Sequence, residues 1–554
     1  MKKLLTIFTV LIGLNTQAQT STNIFSFNTS SGYGVPSPVI STGGYLYGTT
    51  HNGGTAGYGT VYRIMPDGTN FSVLVNLSGA TNPAAGLYYD GTYLYGTTSG
   101  GGAYGYGTIF RVMTDGSNYG TLHDFNSSLG ASPQASLYSD GTYLYGTTGT
   151  GGPSNKGSVF KILPDGTGFD TVICFNGTNG NQPMGDISSD GIYLYGTTTM
   201  GGAANEGVVF KVKPDGTAFD TVMCFRSVNG NSPQGGLVLY GTYLYGTTNL
   251  GGTAGGFGTV YRVQTDGSNY MTLHTFANDA NGANPGAGLL LYSNILYGTT
   301  QNSGVSGGGT LFQVNTDGSN FVTLLSYDAT IGGTSAVVPY CDGTYLYTTT
   351  QNYGANSVGS IVQTPLPPQM EFENVGNIAI PNNYNPPLPS DSTDFGSLYT
   401  GQSIVHNFTI KNNGSNPLTI SSASFGGTNA ADFGFGATVL TPITIPAFAP
   451  QSISIMFNPT TVGYKSANLT FVTNDPVNPS FVLNLQGTGA TLPHAVVENS
   501  QAINIGTGNS PAVGDSTDFG PSDYPQTTNH TFYIKNTGTD TLKITNPNFT
   551  GANI

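Results

Sequence analysis

The stretch Tyr93-Leu94-Tyr95-Gly96-Thr97-Thr98 recurs along the chain at an almost constant spacing. Four more identical copies and two modified ones begin at Tyr45, Tyr143, Tyr193, Tyr243, Ile295 and Tyr345. The successive spacings are 48, 50, 50, 50, 52 and 50 residues. Because self-similarity at a fixed period is the signature of repeat architectures, the pattern predicts seven copies of one small structural unit.

The second copy illustrates the plan of each unit. Its apolar and aromatic runs predict four strands, at residues 84–89, 92–98, 107–113 and 118–125. Asp90-Gly91 separates the first two strands, and Asp115-Gly116 separates the last two. Asp-Gly between apolar runs predicts a hairpin with a type I′ turn, in which both central residues have positive φ.

The aspartates of the second hairpin recur at the same place in six copies, at Asp67, Asp115, Asp165, Asp215, Asp266 and Asp317. We interpret them as turn formers, because Asp favours turns through hydrogen bonds to its own backbone. A calcium site would need several of them to converge, and the chain contains no Asp-x-Asp-x-Asp loop.

Four antiparallel strands in about 50 residues is the size of one blade of a β-propeller. In the motif, the two tyrosines point to one face of the strand and the leucine to the other, so both faces of the sheet are apolar. A blade between two neighbouring blades buries both faces. The sequence therefore predicts an all-β fold with a seven-bladed β-propeller over residues 19–364. A parallel β-helix is the alternative, although its rungs are commonly shorter.

The two ends of the repeat region predict how the ring closes. The last copy has strands at residues 337–340, 344–350 and 357–364 but no fourth strand, because Pro365-Leu366-Pro367-Pro368 follows. Residues 22–28 resemble the fourth strands of the other copies. We expect this N-terminal strand to complete the last blade, which removes an open edge.

The first 18 residues have the pattern of an export signal. Lys2 and Lys3 precede the apolar run 4–14, and Thr16-Gln17-Ala18 is a small-residue exit before Gln19. No Cys follows, which argues against a lipoprotein anchor. No later stretch approaches ~18 consecutive apolar residues, so we expect no transmembrane segment after signal removal and a secreted or cell-surface location.

Composition excludes one class of partner. The 554 residues include 14 Lys plus Arg and 28 Asp plus Glu, for a formal net charge of −14. Such a chain has few cations with which to displace the counterions of nucleic acid, so we exclude that ligand. The three cysteines, Cys174, Cys224 and Cys341, form no Cys-x-x-Cys pair. Cys174 and Cys224 occupy equivalent places in successive copies; we interpret them as small buried residues, although a disulfide between them stays open.

A different rhythm follows the proline-rich segment 365–370, which predicts a semi-rigid linker. Strand-like runs at residues 405–412, 418–420, 453–457, 469–472 and 481–485 predict an immunoglobulin-like β-sandwich over residues 371–490. The segments 391–396 and 408–412 return at 515–520 and 532–536, both with an offset of 124 residues. A second sandwich is therefore expected over 494–554. Because it stops near its midpoint, we expect the chain to be part of a longer protein.

Both regions resemble known families. The repeated Gly-Thr-Thr, Gly-Gly and Asp-Gly elements of residues 21–365 resemble the GloVer tandem repeats of exported bacterial proteins. That family is described by repeats and surface anchoring, and it carries no catalytic residues to transfer. The Asp-Phe-Gly motif, the Phe-x-Ile-x-Asn strand and Asn458-Pro459 resemble the choice-of-anchor D module, which is related to Hydin-type domains. The resemblance implies a spacer or anchoring role.

Three sets of repeated side chains are candidates for binding. Cations share one position, at Arg63, Arg111, Lys161, Lys211 and Arg262, and Gln313 and Gln363 replace them in the last two copies. They could form a basic ring for an anionic or sugar ligand, but we favour surface residues whose heads reach turn carboxylates. The first tyrosines of the motif could form a sugar-stacking rim, but their repetition favours blade packing. His123 and His274 also share a position, which is too few for a metal site.

Catalytic motifs are absent from the sequence. The one Gly-x-Ser-x-Gly match, Gly304 to Gly308, lies in a glycine-rich loop without the helix that a nucleophile elbow requires. We therefore predict no catalytic, cofactor-binding or metal-binding residues, and a non-enzymatic adhesion, binding or structural protein whose partner is a glycan or a surface protein. The alternative is a polysaccharide-active hydrolase or lyase, for which Glu206, the only Glu of the repeat region, is the candidate residue.

Overall fold

The computed structural model describes residues 21–505 except 36, 254, 336, 353 and 440, together with residues 529–538 and 541–545. The chain divides into two compact units, Met1–Pro367 and Pro368–Ile554. The predicted export signal at residues 1–18 lies outside the described residues. Among the residues that the structure describes, no helix is long and apolar enough to cross a membrane.

The first unit consists of short strands. In chain order they are β1 Thr22–Ser26, β2 Ile40–Thr42, β3 Tyr45–Thr50, β4 Thr60–Ile64, β5 Ser72–Asn76, β6 Ala80–Thr81, β7 Tyr88–Tyr89, β8 Tyr93–Thr98, β9 Gly100–Gly101, β10 Thr108–Met113, β11 Gly120–Asp124, β12 Ala131–Pro133, β13 Tyr138–Ser139, β14 Leu144–Thr150, β15 Ser158–Ile162, β16 Asp170–Cys174, β17 Ser188–Ser189, β18 Leu194–Thr198, β19 Val208–Val212, β20 Asp220–Cys224, β21 Val238–Tyr240, β22 Tyr243–Thr248, β23 Thr259–Gln264, β24 Met271–Thr275, β25 Leu290–Tyr292, β26 Ile295–Thr299, β27 Thr310–Asn315, β28 Val322–Ser326, β29 Tyr340–Cys341, β30 Tyr345–Thr350 and β31 Ser360–Pro365.

Within the described part of this unit, seven antiparallel sheets follow one another, one for each copy of the motif. Sheet 1 contains β2-β3-β4-β5, and the first strands of sheets 2 to 7 are β7, β13, β17, β21, β25 and β29. The motif always forms the second strand, whose residues are almost fully buried. Its glycine is required by close packing: a Cβ added at Gly96 would lie 2.5 Å from the ring of Phe110 in the adjacent strand.

The first strand of each sheet is shorter than the sequence predicts. In the second copy it spans Tyr88–Tyr89, whereas a strand over 84–89 was expected. The preceding residues bond to the previous sheet instead, since the Thr49 hydroxyl donates to the Ala85 carbonyl at 3.3 Å. The other three strands of this copy lie within two residues of their predicted bounds.

The predicted type I′ turn is wrong. The amide of Gly116 donates to the Met113 carbonyl, and the amide of Met113 donates to the Ser117 carbonyl, which encloses a three-residue loop. Gly116 has a φ of 90°, but Asp115 is not among the residues with positive φ. A three-residue hairpin loop of this kind needs a left-handed residue only at its last position, and glycine supplies it.

Apolar clusters form between consecutive sheets. One such cluster combines Tyr95, Ile109 and Phe125 of sheet 2 with Leu144 and Phe160 of sheet 3. All five side chains are at most 1% exposed. Fully burying a large apolar side chain contributes about 1.5–3 kcal/mol, so these inter-sheet clusters are the main source of stability.

The N-terminal strand lies at the edge of sheet 7. β1 pairs antiparallel with β31, and Thr22 lies opposite Gln363. Phe27, which follows β1, is fully buried in a cluster with Tyr62 of sheet 1 and Ile361 of sheet 7. The first and last copies therefore pack against each other.

The fifth residue of the motif joins each sheet to the next. Its threonine hydroxyl donates to a main-chain carbonyl just before the first strand of the following sheet, at 2.6–3.4 Å. The pairs are Thr49–Ala85, Thr97–Ala135, Thr147–Gly185, Thr197–Gly235, Thr247–Ala287, Thr299–Val337 and Thr349–Ser37. The last pair joins sheet 7 to sheet 1, so the series is cyclic.

The second unit begins with a β-sandwich. Its elements are β32 Met370–Asn374, β33 Asp394–Tyr399, β34 Ile404–Asn412, β35 Leu418–Gly426, a 3-10 helix Ala430–Asp432, β36 Phe433–Phe435, β37 Ile443–Ile445, β38 Pro450–Phe457, β39 Gly463–Thr473 and β40 Ser480–Ala490. Four strands form one sheet, β32-β34-β38-β36, and five form the other, β33-β40-β39-β35-β37. Both sheets contribute to one buried core, in which Phe372 packs on Phe471 and Phe481. Three later strands, β41 Ala495–Asn499, β42 Asn504–Ile505 and β43 Phe532–Asn536, form a separate small sheet.

Candidate binding surface

The repeated cations join neighbouring sheets. Arg111 places its guanidinium carbon 4.6 Å above the ring of Tyr93 and donates from Nη1 to the Pro164 carbonyl at 3.1 Å. The other four repeat this arrangement, with the acceptor pairs Arg63–Thr114, Lys161–Pro214, Lys211–Thr265 and Arg262–Thr316. The expectation that these heads reach turn carboxylates is met only in part. The turn aspartates are bonded within their own turns, but Lys161 and Lys211 lie 3.8 and 3.6 Å from the carboxylates of Asp170 and Asp220, which begin the fourth strands after the turns. The main-chain carbonyl just before each turn is the available acceptor.

The two glutamines at this position differ from each other. Gln363 of sheet 7 reaches the Pro66 carbonyl of sheet 1 at 3.5 Å, which continues the series across the chain ends. Gln313 is fully buried, and its side-chain amide has no hydrogen-bond partner in the described part of the chain.

The tyrosines of the motif are packing residues. Tyr93 lies under Arg111, and Tyr95, which is 1% exposed, donates its hydroxyl to Asp90 Oδ2 at 2.8 Å. Burial alone would raise the pKa of Asp90, but hydrogen bonds from the amides of Thr92 and Tyr93 and from Tyr95 outweigh it and lower that pKa. The same bond occurs in Tyr145–Asp140, Tyr195–Asp190 and Tyr347–Asp342. These rings are not free to stack on a sugar.

The aspartates of the second hairpin are turn formers, as the sequence predicts. Asp115 Oδ1 accepts hydrogen bonds from the amide of Ser117 at 2.8 Å and from its hydroxyl at 2.6 Å. These bonds lower the pKa of Asp115. Equivalent bonds occur at Asp67, Asp165, Asp215, Asp266 and Asp317.

The two repeated histidines stack on phenylalanines of the next sheet. The ring of His274 lies 3.5 Å from that of Phe321 with an interplanar angle of 6°, and His123 lies 3.7 Å from Phe169 at 7°. Burial lowers the pKa of His274 to about 4 and lowers that of His123 as well. Among the described residues, no group of three or more His, Cys, Asp or Glu could hold a metal ion.

The cysteines are free thiols. Cys174, Cys224 and Cys341 are half-buried, so the interpretation of Cys174 and Cys224 as small buried residues is met in part. Burial raises the pKa of Cys174 and Cys341. No disulfide joins the two equivalent positions.

The two enzyme candidates lie in separate loops. Glu206 precedes β19 and accepts a hydrogen bond at Oε1 from the Ser227 hydroxyl at 2.7 Å. Gly304 to Gly308 lie between β26 and β27, so strands and not a helix flank Ser306. This loop lacks the strand-to-helix turn of a nucleophile elbow.

In sheets 1 and 2 the two ends of the sheet differ in charge. In an antiparallel sheet the turns after the first and third strands lie at one end, and the loops after the second and fourth strands lie at the other. The first end holds the ten hairpin aspartates described above. We call the second end the loop face; in sheets 1 and 2 it consists of residues 51–59, 77–82, 99–107 and 125–132. These four segments contain no Asp, Glu, Lys or Arg.

Exposed aromatic rings distinguish the loop face of sheets 1 and 2. Tyr58 is 47% exposed, Tyr104 63% and Tyr106 43%, and Leu129 nearby in sequence is 41% exposed. We call these three tyrosines and their four loop segments the aromatic sector. This sector is not predicted from the repeat pattern, because repetition points to the motif tyrosines instead. The signal was present in the departures from the repeat, since Lys156 and Glu206 replace Tyr106 in the next two copies.

The chain is therefore an all-β repeat protein. A cyclic series of four-stranded sheets is followed along the chain by an immunoglobulin-like sandwich. The model of the Gloeobacter/Verrucomicrobia repeat matches residues 6–193 and 187–362, so the chain belongs to this family. The resemblance to GloVer repeats is thereby confirmed. Residues 388–481 match the family model of the abnormal spindle-like microcephaly-associated (ASPM-SPD-2-Hydin) domain. This match confirms the Hydin-type resemblance.

No curated protein matches the chain. Among solved structures, an oligogalacturonate lyase from Vibrio parahaemolyticus is 10% identical with a TM-score of 0.44, and the match covers 64% of this chain and 95% of that one. A putative 6-phosphogluconolactonase from Bacteroides uniformis is 17% identical with a TM-score of 0.41, covering 61% and 94%. A nidogen/laminin complex chain is 16% identical with a TM-score of 0.34, covering 49% and 88%.

Proposed function

We propose that this chain is an exported, non-enzymatic binding protein of the cell surface or the secreted fraction. Its repeat region, residues 19–364, is a closed seven-bladed β-propeller. The loop face of this propeller binds a glycan or a surface protein. The immunoglobulin-like modules serve as spacers toward an anchor. The observation that carries the proposal is that a cyclic framework of repeated bonds supports loops whose residues differ from copy to copy.

A second set of contacts supports the closed ring. A main-chain amide at the start of each copy donates to a loop carbonyl of the previous copy at 2.8–3.3 Å. The pairs are Asn82–Tyr58, Ser132–Tyr106, Gln182–Lys156, Ser232–Glu206, Asn284–Phe257, Thr334–Gly308 and Gly34–Val358. As with the threonine bonds, the seventh pair joins the last copy to the first.

Binding is favoured over catalysis by how the polar residues are used. The repeated aspartates, tyrosines and cations each have a structural partner, which leaves the variable loops as the part that can differ without loss of the fold. Function concentrates on loops that a rigid scaffold positions. The family matched by the repeats and the predicted signal at residues 1–18 support export.

The alternative is a polysaccharide-active enzyme. Glu206 favours it, because its Oε2 atom is buried and has no hydrogen-bond partner in the described part of the chain. A carboxylate held in this way is a candidate general acid or base.

A combined binding and turnover assay separates the two functions. The purified chain is tested on a panel of neutral and acidic polysaccharides, with affinity electrophoresis for binding and a reducing-end assay for cleavage. We expect retention by at least one polysaccharide and no release of reducing ends. Release that is abolished by Glu206→Gln and kept by Asp170→Asn, a change at an exposed carboxylate outside the loops, would establish the enzyme instead.

A further inference from the structure

We infer that the aromatic sector is a stacking platform for a neutral glycan, with Tyr58, Tyr104 and Tyr106 as its rings. This inference rests on the proposed binding function and names the part of the loop face that carries it. Its ligand class follows from the chemistry of the exposed side chains around these rings.

The three tyrosines differ from the packing tyrosines in having free rings. The hydroxyl of Tyr95 is bonded to Asp90, and Tyr93 is covered by Arg111. In the part of the chain that the structure describes, Tyr58, Tyr104 and Tyr106 have neither a ring contact nor a hydrogen bond through the hydroxyl. Exposed aromatic rings without a structural partner are typical of binding sites.

The loops that carry the rings are held in place by main-chain bonds. Gly53 bridges to Tyr58, and Gly101 bridges to Tyr106 in the same parallel manner. The amide of Ala103, next to Tyr104, donates to Asp124 Oδ1 at 2.9 Å. Loops that are already ordered lose little conformational entropy on binding, so weak stacking contacts can give measurable affinity.

The two tyrosine-bearing loops are neighbours. The amide of Asn82 donates to the Tyr58 carbonyl at 3.3 Å, and the Asn82 carbonyl accepts from the amide of Ser99 at 3.1 Å. The adjacent residues form the small sheet β6-β9, in which Thr81 lies opposite Gly100. The segment 79–82 therefore bridges the loop of Tyr58 to that of Tyr104 and Tyr106.

The surrounding chemistry favours a neutral sugar. The C–H face of a pyranose ring packs on an aromatic face, and sugar hydroxyls bond to amide and hydroxyl side chains. The sector supplies Asn52, Thr55, Asn82 and Ser128 and contains no charged residue. An anionic glycan would find no cation here, whereas the loops of the next sheets contain Lys156 and Arg226.

A glycan fits the sector better than a protein does. A stable protein interface buries about 800 Å² on each partner around an apolar centre. Here three rings and Leu129 stand among glycine, serine, threonine and asparagine, and no larger apolar centre accompanies them within the described loops.

The test measures binding of neutral and acidic soluble polysaccharides to the full chain by affinity electrophoresis and titration calorimetry. We expect a neutral glycan to bind. Tyr58→Ala, Tyr104→Ala and Tyr106→Ala should each weaken binding at least tenfold, and Tyr104→Phe should bind within threefold of the wild type. Tyr240→Ala is the matched control, because Tyr240 is 45% exposed at the opposite end of sheet 5. Unchanged thermal midpoints establish that the variants fold.

Three outcomes would overturn the platform. In the first, a glycan binds equally well to the wild type and to the alanine variants of Tyr58, Tyr104 and Tyr106. In the second, only acidic glycans bind. In the third, these tyrosines bind a protein and not a glycan. Each of these would leave the proposed binding function standing. If no polysaccharide is retained at all, the platform is wrong, and a pull-down with surface proteins then decides whether the broader binding function is wrong as well.

Discussion

The stack of His274 on Phe321 buries a titratable ring between two sheets, and this has a consequence for acid stability. Two other sheets carry an aliphatic or thioether residue at the same register: Ile173 lies opposite Val159 and Met223 opposite Val209, as His274 lies opposite Val260. The position therefore accepts an apolar side chain. A neutral imidazole suits it, and an imidazolium does not.

We expect the repeat region to lose stability as the pH falls from 7 to 4.5, in part because His274 becomes protonated. Its pKa in the folded state is about 4, below the usual 6.5. The unfolded chain therefore binds more protons between these values, and the free energy of unfolding falls as the pH falls through that window. The full effect of His274 is on the order of 2 kcal/mol, allowing for its partial exposure. His274→Met should flatten the dependence of the thermal midpoint on pH.

His494→Gln is the matched control, because His494 is exposed in the second unit. The aspartates with lowered pKa lose their contribution only at lower pH, as it falls through their folded-state values. Burial raises the pKa of Asp186, which acts in the opposite direction, but it does so equally in the wild type and in His274→Met, so the difference between the two chains isolates His274. If the thermal midpoint depends on pH equally in His274→Met and in the wild type, the His274 ring is protonated in the folded state without loss of stability, and the prediction is wrong.

At the scale of the element, the second and third strands were predictable and the first strand and the turns were not. Tyr-Leu-Tyr-Gly-Thr-Thr has apolar groups on both faces, which is the pattern of a buried strand. Residues 84–87 have similar composition but bond to the previous sheet, and no local pattern reveals a contact with another copy. The Asp-Gly pair indicates a hairpin, while loop length depends on the bonds that enclose it.

The candidate surface was less predictable than the framework, for a physical reason. A residue that packs between identical units must recur, so repetition finds framework residues such as Tyr95 and Arg111. A ligand needs one surface and not seven, so Tyr104 occurs once and leaves no periodic signal. Even for the cations, the sequence predicted contact with a turn carboxylate, but not that a main-chain carbonyl of the next sheet is the acceptor.

Strand β1 is the element on which the proposed ring closure depends. Deleting residues 22–28 should lower the thermal midpoint of the repeat region by on the order of 10 °C, because β31 keeps only β30 as a partner and Phe27 leaves a core in which it is fully buried. Circular dichroism follows the loss. A synthetic peptide of residues 21–30 added in excess should restore part of the midpoint, since it can add to the open edge.

Asn23→Ala is the matched control within the same strand, because Asn23 is less buried than Phe27 and should shift the midpoint by no more than a few degrees. An unchanged melting curve after the deletion would mean that β1 contributes nothing to the edge of sheet 7, and the closed ring would then be wrong.

For the whole molecule, the distinction between a ring and an open array predicts the effect of removing one copy. Repeats 3 and 4 are 50 residues apart, so deleting residues 143–192 joins Thr142 to Tyr193 and keeps the motif and its flanking turn intact. In an open array each copy contacts only its neighbours, and the loss of one copy costs a fraction of the stability. If the seven sheets form a closed ring, a chain with six sheets must either leave one sheet-to-sheet interface open or change the angle between the sheets at every interface.

We therefore expect the six-copy chain to be insoluble or to melt at least about 15 °C below the parent, as judged by size-exclusion chromatography and circular dichroism. The physical reason is that each apolar cluster combines two sheets, so an open interface exposes two faces such as those of Tyr95 and Phe160. A chain with one copy duplicated should be impaired for the same reason. If the six-copy chain is monomeric and melts within a few degrees of the parent, the sheets form an open series, and the threonine bond from Thr349 to Ser37 does not bind the ends together in solution.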